Sequence, residues 1–473
     1  METSLPLESD DWRALLSEGR DRKARGDTEA ALALYHKAAA LAPQEALPAH
    51  SLAALLGDLS RFSEAEDWAA KAVTKGGKAP ESLLVLGRAQ QGNARFDAAE
   101  RSFEQAITAR PDYFDAHHDL AQLRWMRTND VAAASSALER QISAEPANAK
   151  LLELKARILL SADKVDDAGH FIQQAIIAAP DQPALHIFHS HIAARQKRPE
   201  AQLAAATQAL QLNRSSQEAA KAALEALLHC GRAEEAEQLA IRILQAHPGD
   251  QGIVALLTTA WRIMGDTRYE TFCTSPGLIS AQMMDAPASA HDLPSYLADL
   301  KTALLKRHPW KSHPLDQSLR HGSQTQEDLT QSSDPVIATL FQGLKPLIAQ
   351  HIAQLGTGPD PVRMRSNGRF RLGPAWSVAL SPGGFHTDHV HPQGWMSCAF
   401  YVDLPQTIQQ GREGWLAFGR PGIPTQPSLQ PFQHIKPEPG MLAIFPSYMW
   451  HGTEVFSGDQ KRLTVAFDIL PGL

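Results

Sequence analysis

A set of small and large residues recurs every 34 positions through the first half of the 473-residue chain. Gly19, Ala31, Tyr35, Ala38 and Pro43 form one copy; a shift of 34 gives Ala53, Ala65, Ala69, Ala72 and Gly77, and a second shift of 34 gives Gly87, Ala99, Phe103, Ala106 and Pro111. The set returns as Ala156, Ala168, Ile172, Ala175 and Pro180, and again as Leu224, Ala236, Ala240, Ile243 and Pro248. A fixed period of this length describes a stack of helix pairs, because one pair cannot bury its own apolar face. Small residues let two antiparallel helices approach, a larger residue fills the groove between them, and proline ends the second helix. About seven such units fit between residues 12 and 250, with degenerate copies near 114–148 and 183–216. QGIVALLTTAWRIMG, at 251–265, reads as a final helix covering the last unit.

This array resembles tetratricopeptide repeats. The resemblance implies an α-solenoid over residues 1–265 whose concave surface binds a protein or peptide. A spacer or oligomerisation arm without a ligand of its own is the plainer alternative. Composition removes other classes. A net charge of -7 without a long basic run gives no reason to expect nucleic acid. No apolar run approaches the ~20 residues that a membrane span needs, and the N-terminal METSLPLESDDW lacks a charged-then-apolar signal pattern. Three scattered cysteines, Cys230, Cys273 and Cys398, suggest neither a disulfide framework nor a cysteine zinc site, and a reducing cytoplasm is the simplest compartment.

The pattern changes after residue 265. Residues 266–293 lack helical period and read as a linker. PSYLADLKTALLKRH and DPVIATLFQGLKPLIAQHIAQLG read as amphipathic helices, separated by the polar loop HPLDQSLRHGSQT. From residue 369, FRL, AWSVALS, WMSCAFYVDLP, GWLAFG, FQHIKPEPG, MLAIFPS and RLTVAFDIL are short aromatic and β-branched runs punctuated by Gly and Pro. The expected fold class is multidomain α + β: an N-terminal solenoid, then an antiparallel sandwich or barrel with flanking helices over 294–473. A linker at 266–293 further implies that the barrel keeps its ligand binding when residues 1–265 are removed.

The chemistry concentrates in GGFHTDHVHPQGW, residues 383–395, where His386, Asp388, His389 and His391 are all potential metal ligands. His451 follows in FPSYMWHG, and Arg462 opens the strand RLTVAFDIL. This order resembles the iron- and 2-oxoglutarate-dependent oxygenases, whose double-stranded β-helix (jelly roll) carries a pair of ligands one residue apart, a distal histidine and then a basic residue. The phrases GFHTDHVHPQGWMSCAFYV and FPSYMWHGT look closer still to a bacterial branch of these oxygenases fused to tetratricopeptide repeats, which has His-x-His-Pro at this place. The resemblance implies Fe(II) and 2-oxoglutarate as cofactors, with Arg462 and Thr464 of the Arg-x-Thr sequence on the co-substrate. Ser397 and Tyr401 are further candidates for facing the cofactor, against an ordinary role in the core.

Two ligand sets remain open. On a straight strand His386 and Asp388 share one face, and His389 and His391 share the other. The first pair, with His451, gives two histidines and a carboxylate, which suits Fe(II). The second gives three histidines. In prolyl-hydroxylase-like members the first ligand follows a turn glycine by about five residues, and five residues beyond Gly384 is His389. That resemblance favours His389, His391 and His451, with Asp388 either binding or orienting a ligand histidine. The resulting expectation is a hydroxylase acting on a protein or peptide brought by the repeats. A three-histidine, cupin-like dioxygenase without 2-oxoglutarate and a non-enzymatic scaffold are the alternatives. Arg462 argues against the first of these, and His451 with Arg462 argues against the second.

Overall fold

The computed structural model describes residues 11–76, 78–315, 317–409 and 411–472. Gly77 of the repeat register and residues 1–10 of the acidic N-terminal stretch lie outside the described residues. Contacts divide the chain into two compact units, one of Met1–Trp125 and Asp130–Pro146, the other of Met126–Asn129 and Ala147–Leu473. No helix among the described residues is long and apolar enough to cross a membrane.

Among the described residues fifteen α-helices run from Trp12–Ala24 to Gln251–Met264, and the two degenerate copies form helix pairs like the rest. The 34-residue register has a steric origin. A Cβ on Gly19 would collide with the Tyr35 ring, and one on Gly87 with the Phe103 ring. Glycine at the first position therefore makes room for an aromatic residue at the second. The sizes reverse in the last copy, where Leu224 and Ala240 are both fully buried in one cluster.

The last helix departs from the expected organisation. Asp250 caps the start of Gln251–Met264 by accepting the Ile253 N–H, and Gly265 ends it in the left-handed region at φ 69°. Every residue from Gln251 to Trp261 is buried. An amphipathic surface helix buries one stripe; burial all round places this helix between two layers. One side packs with Leu224, Leu228, Ala236 and Ala240 of the preceding repeat. The other contributes Val254 and Ala255 to the core of the β-domain, beside Cys273, Tyr448 and Met449. The expected boundary at 265 thus falls inside the second compact unit. Residues 266–293 also differ from a linker: Cys273, Leu278 and Met284 are buried. The segment includes a short helical turn, Glu270–Thr274, and a strand, β1 (Ser280–Met283).

The remaining strands are β2 (Leu319–Gln324), β3 (Phe370–His386), β4 (Met396–Asp403), β5 (Leu416–Phe418), β6 (Gln433–Ile435), β7 (Met441–Pro446), β8 (His451–Thr453) and β9 (Arg462–Pro471). They form a six-stranded sheet in the order β1-β7-β4-β9-β3-β2 and a three-stranded sheet in the order β6-β5-β8, antiparallel throughout. This is the antiparallel jelly-roll arrangement, flanked by helices Leu293–Leu305 and Pro335–Gln354. FRL and AWSVALS join into the single strand β3, with an irregular register between Leu372 and Ala375. The polar loop HPLDQSLRHGSQT contains β2, which pairs with the end of β3, Leu319 opposite His386.

Removing residues 1–146 takes away one compact unit, with only Met126–Asn129 lost from the other, and leaves a chain expected to melt cooperatively. Removing residues 1–265 strips Val254 and Ala255 from the β-domain core. That chain is expected to aggregate or to lose its near-ultraviolet circular dichroism, and comparing thermal melts of the two truncations checks both outcomes.

Acid sensitivity follows from buried imidazoles outside the histidine cluster. Burial lowers the pKa of His351 to about 4, and burial, with Lys461 nearby, does the same for His308. The unfolded chain protonates these groups near pH 6.5. The folded pKa is the lower one, so their contribution is complete above pH 6.5 and is lost as pH falls towards 4. Urea midpoints should drop between pH 7 and pH 5, and less in His351→Gln than in the parent chain.

Candidate metal centre

The chain changes sheets at the histidine-rich segment. β3 ends at His386 beside β2, where the Thr387 N–H donates to the Ser318 carbonyl at 2.9 Å. Two residues later the partner is β8. The His389 N–H donates to the His451 carbonyl at 2.9 Å, and the His451 N–H donates back to the His389 carbonyl at 3.0 Å. His391 continues along the same edge, its N–H donating to the Ser447 carbonyl at 2.9 Å. His389 and His391 keep the two-residue spacing that points both rings to one side. His386 belongs to the other sheet, so the straight-strand expectation that pairs it with Asp388 does not apply.

The structure brings His389, His391 and His451 together, with one ligand nitrogen from each lying within 4.8 Å of the others. His389 Nε2 and His391 Nε2 are 3.3 Å apart. All three rings are held from behind through Nδ1. His389 Nδ1 lies 2.8 Å from the Thr387 carbonyl and His451 Nδ1 lies 3.0 Å from the Met449 carbonyl. A carbonyl can only accept, so the proton sits on Nδ1 and the Nε2 lone pair is free. His391 Nδ1 meets Asp468 Oδ1 at 2.6 Å. Burial pushes the His389 pKa down to about 4 and that of His451 well below its usual value, so both imidazoles are neutral at physiological pH. Neutral rings with a fixed tautomer and free Nε2 atoms are the form in which histidine binds metals.

Asp468 is the residue that sequence reasoning missed. It lies on β9, six residues after Arg462, and Arg462, Thr464, Ala466 and Asp468 all line one cavity of about 380 Å³. Alternation along a strand explains this: every second residue of β9 faces the cavity, while Leu463, Val465, Phe467 and Ile469 are buried in the core behind. An aspartate in the apolar run VAFDIL, in phase with Arg462, was the available signal. Ser397 Oγ donates to Asp468 Oδ1 at 2.8 Å and lies 2.9 Å from Ser447 Oγ. Ser397 therefore lines the cavity while bracing the carboxylate that orients His391.

Arg462 is 2% exposed, and its Nε has no hydrogen-bond partner. Its guanidinium lies 5.2 Å from the centre of the Tyr401 ring. Burial draws the arginine pKa down. Tyr401 does not line the cavity, whereas Thr464, its register partner across the β4–β9 ladder, does. A buried guanidinium with an unused donor is costly unless an anion meets it; this end of the cavity fits a carboxylate. Arg320 is engaged elsewhere, donating to the carbonyls of Gln317 and Leu319.

The other candidates separate. His386 lines the cavity beside His389, with ring centres 5.8 Å apart, and its Nδ1 lies 3.2 Å from Ser318 Oγ. Asp388 accepts from Arg420 Nε at 2.6 Å, and Arg420 also reaches Glu454 at 3.2 Å. Burial raises the Asp388 pKa, against the effect of Arg420. The structure therefore does not bring His386 and Asp388 together as a ligand pair. Trp376 stacks on His391 at 6.0 Å, and Phe445 lies 4.5 Å from the His451 ring.

Residues 374–468 match the family model described as "Putative 2OG-Fe(II) oxygenase", and residues 84–140 and 126–183 match the tetratricopeptide repeat model. The chain thus carries a 2-oxoglutarate/Fe(II) oxygenase domain after an array of tetratricopeptide repeats, and a domain of that family implies Fe(II) and 2-oxoglutarate as cofactors. Solved structures similar to the chain include PilF of Pseudomonas aeruginosa, at 17% identity over 44% of this chain and 94% of that one, with a TM-score of 0.32. Yeast Tom70 is similar at 16% identity over 56% of this chain and 57% of its own, with a TM-score of 0.45. A tetratricopeptide repeat protein from Parabacteroides merdae is similar at 13% identity over 53% of this chain and 98% of that one, with a TM-score of 0.37. None of the curated proteins compared with the chain matches it.

Proposed function

We propose that the chain is a 2-oxoglutarate-dependent hydroxylase in which His389, His391 and His451 hold Fe(II), acting on a protein or peptide recruited by the repeats. One observation carries this reading: three imidazoles, each tied back through Nδ1, present their Nε2 atoms together in a cavity that also holds a buried arginine with a free donor. When bound, Fe(II) and 2-oxoglutarate supply the oxidising chemistry, in which one oxygen atom of O₂ enters the substrate and the other enters succinate as CO₂ leaves. The chain's residues do the rest. Arg462 pairs with the far carboxylate of 2-oxoglutarate, where two parallel hydrogen bonds can fix its direction. Thr464, two residues along the same face, is placed to donate to it. Asp468 holds His391 in one tautomer and supplies, one hydrogen bond away, the negative charge that a ligand carboxylate gives in the commoner site. Trp376 and Phe445 keep bulk water from the rings.

The cupin-like reading without 2-oxoglutarate leaves the unused Nε donor of buried Arg462 unexplained, and this favours the co-substrate. Support for a protein or peptide substrate comes from the repeats, which generally serve protein–protein binding. Full-length protein incubated with a cell extract, Fe(II) and 2-oxoglutarate is expected to form succinate and to add about 16 Da to a protein target. Succinate formation that no protein fraction stimulates would overturn the substrate assignment.

His389→Ala, His391→Ala and His451→Ala are each expected to abolish Fe(II) binding in an anaerobic titration. Asp388→Asn should retain it, and Asp468→Asn should weaken it by about ten- to a hundred-fold. Loss of iron in Asp388→Asn with retention in His391→Ala would move the ligand set to the other pair.

Arg462→Ala is expected to spare Fe(II) affinity and to weaken 2-oxoglutarate by about 1.5–3 kcal/mol, roughly ten- to a hundred-fold, as for a lost charge-assisted hydrogen bond. Calorimetric titration of the co-substrate into the anaerobic Fe(II) protein measures this directly.

A further inference from the structure

The helix Gln251–Met264 closes the repeat array in sequence, yet it holds both chain segments that carry the clustered histidines. At its start the Gln251 N–H donates to the Pro392 carbonyl at 3.3 Å, and Pro392 follows His391. Two turns later Thr259 Oγ1 accepts from the Trp450 indole at 2.9 Å, and Trp450 precedes His451. The Thr259 hydroxyl proton is directed to the Ala255 carbonyl at 2.7 Å, so the oxygen is left oriented as an acceptor. Thr259 is 2% exposed. Near the end of the helix Arg262 donates to the carbonyls of Gly419 and Gln430 at 2.7 and 2.8 Å. The Gly419 N–H in turn donates to the Trp450 carbonyl at 2.8 Å. Trp450 is therefore fixed at its side chain by Thr259 and at its backbone by Gly419, the residue after β5, which Arg262 secures.

We infer that this helix is a positioning element of the metal centre, with Thr259 and Arg262 setting His451 through Trp450, and Gln251 setting His391 through Pro392. The inference rests on the reading of the three histidines as metal ligands. The ring of His451 takes its direction from the Met449 carbonyl, so the stretch Met449–His451 must be held as a whole for Nε2 to face its partners. The opposite side of the helix packs against Leu224, Leu228, Ala236 and Ala240. The helix is thus clamped between the last repeat and the segments that carry His391 and His451.

The test uses the full chain and Co(II) as the probe, whose visible bands report ligand geometry. Thr259→Val keeps the shape and removes the acceptor; Thr259→Ser keeps the acceptor. At a temperature where thermal melts show each variant folded, Thr259→Val is expected to bind Co(II) about tenfold more weakly, with altered bands, and Thr259→Ser to match the parent chain. Arg262→Gln, at the half-buried end of the helix, is expected to shift affinity and bands in the same direction and decides the matter if Thr259→Val does not fold. Parent-like Co(II) affinity and spectrum in the folded variants, melting temperature changed or not, would reduce the helix to a packing element and overturn the inference. A parent chain that binds no Co(II) overturns the metal reading itself, and this inference with it.

Discussion

Two backbone hydrogen bonds, exchanged between His389 and His451 at 2.9 and 3.0 Å, organise the whole site. They join residues far apart in the chain into one antiparallel pair and set their rings 4.3 Å apart, centre to centre. Strand alternation returns His391 to the same side, where the Ser447 carbonyl and Asp468 hold it. The pair forms only because the chain leaves β3 at His386 and crosses to the smaller sheet. The space opened by that crossing is the cavity.

The electrostatics of that cavity come from β9. Its inward face runs from Arg462 to Asp468, a cation at one end and an anion at the other, about 20 Å apart along an extended strand. Asp468 sits behind His391 and offsets positive charge where a metal would bind. Arg462 has no such neutraliser and keeps a buried donor unused. A carboxylate of an anionic co-substrate would meet the arginine end.

Much of this was legible in the sequence, for identifiable reasons. The 34-residue register was visible because small-against-large packing constrains both members of a pair, as Gly19 with Tyr35 and Gly87 with Phe103. The histidines stood out by density and spacing. What stayed hidden depends on tertiary contacts. Strands β1 and β2 carry Ser, Gln, Arg and His because edge strands are held by backbone ladders rather than by an apolar face. The helix Gln251–Met264 reads as a cap, since its apolar pattern cannot say that a second layer covers its other side. Asp388 and Asp468 look equally eligible as text; only the fold turns one towards Arg420 and the other towards His391.

The paired positions of the repeats carry a consequence for how such a chain can diverge. Glycine faces tyrosine or phenylalanine in two copies, alanine takes the first position and isoleucine the second in another, and leucine takes the first with alanine second in the last. In these four copies a smaller residue meets a larger one, while Ala53 meets Ala69 in another, so the gap between the helices is filled in more than one way. Stacking therefore tolerates changes that blur the register, and repeats at 114–148 and 183–216 form helix pairs like their neighbours although several of the register positions differ.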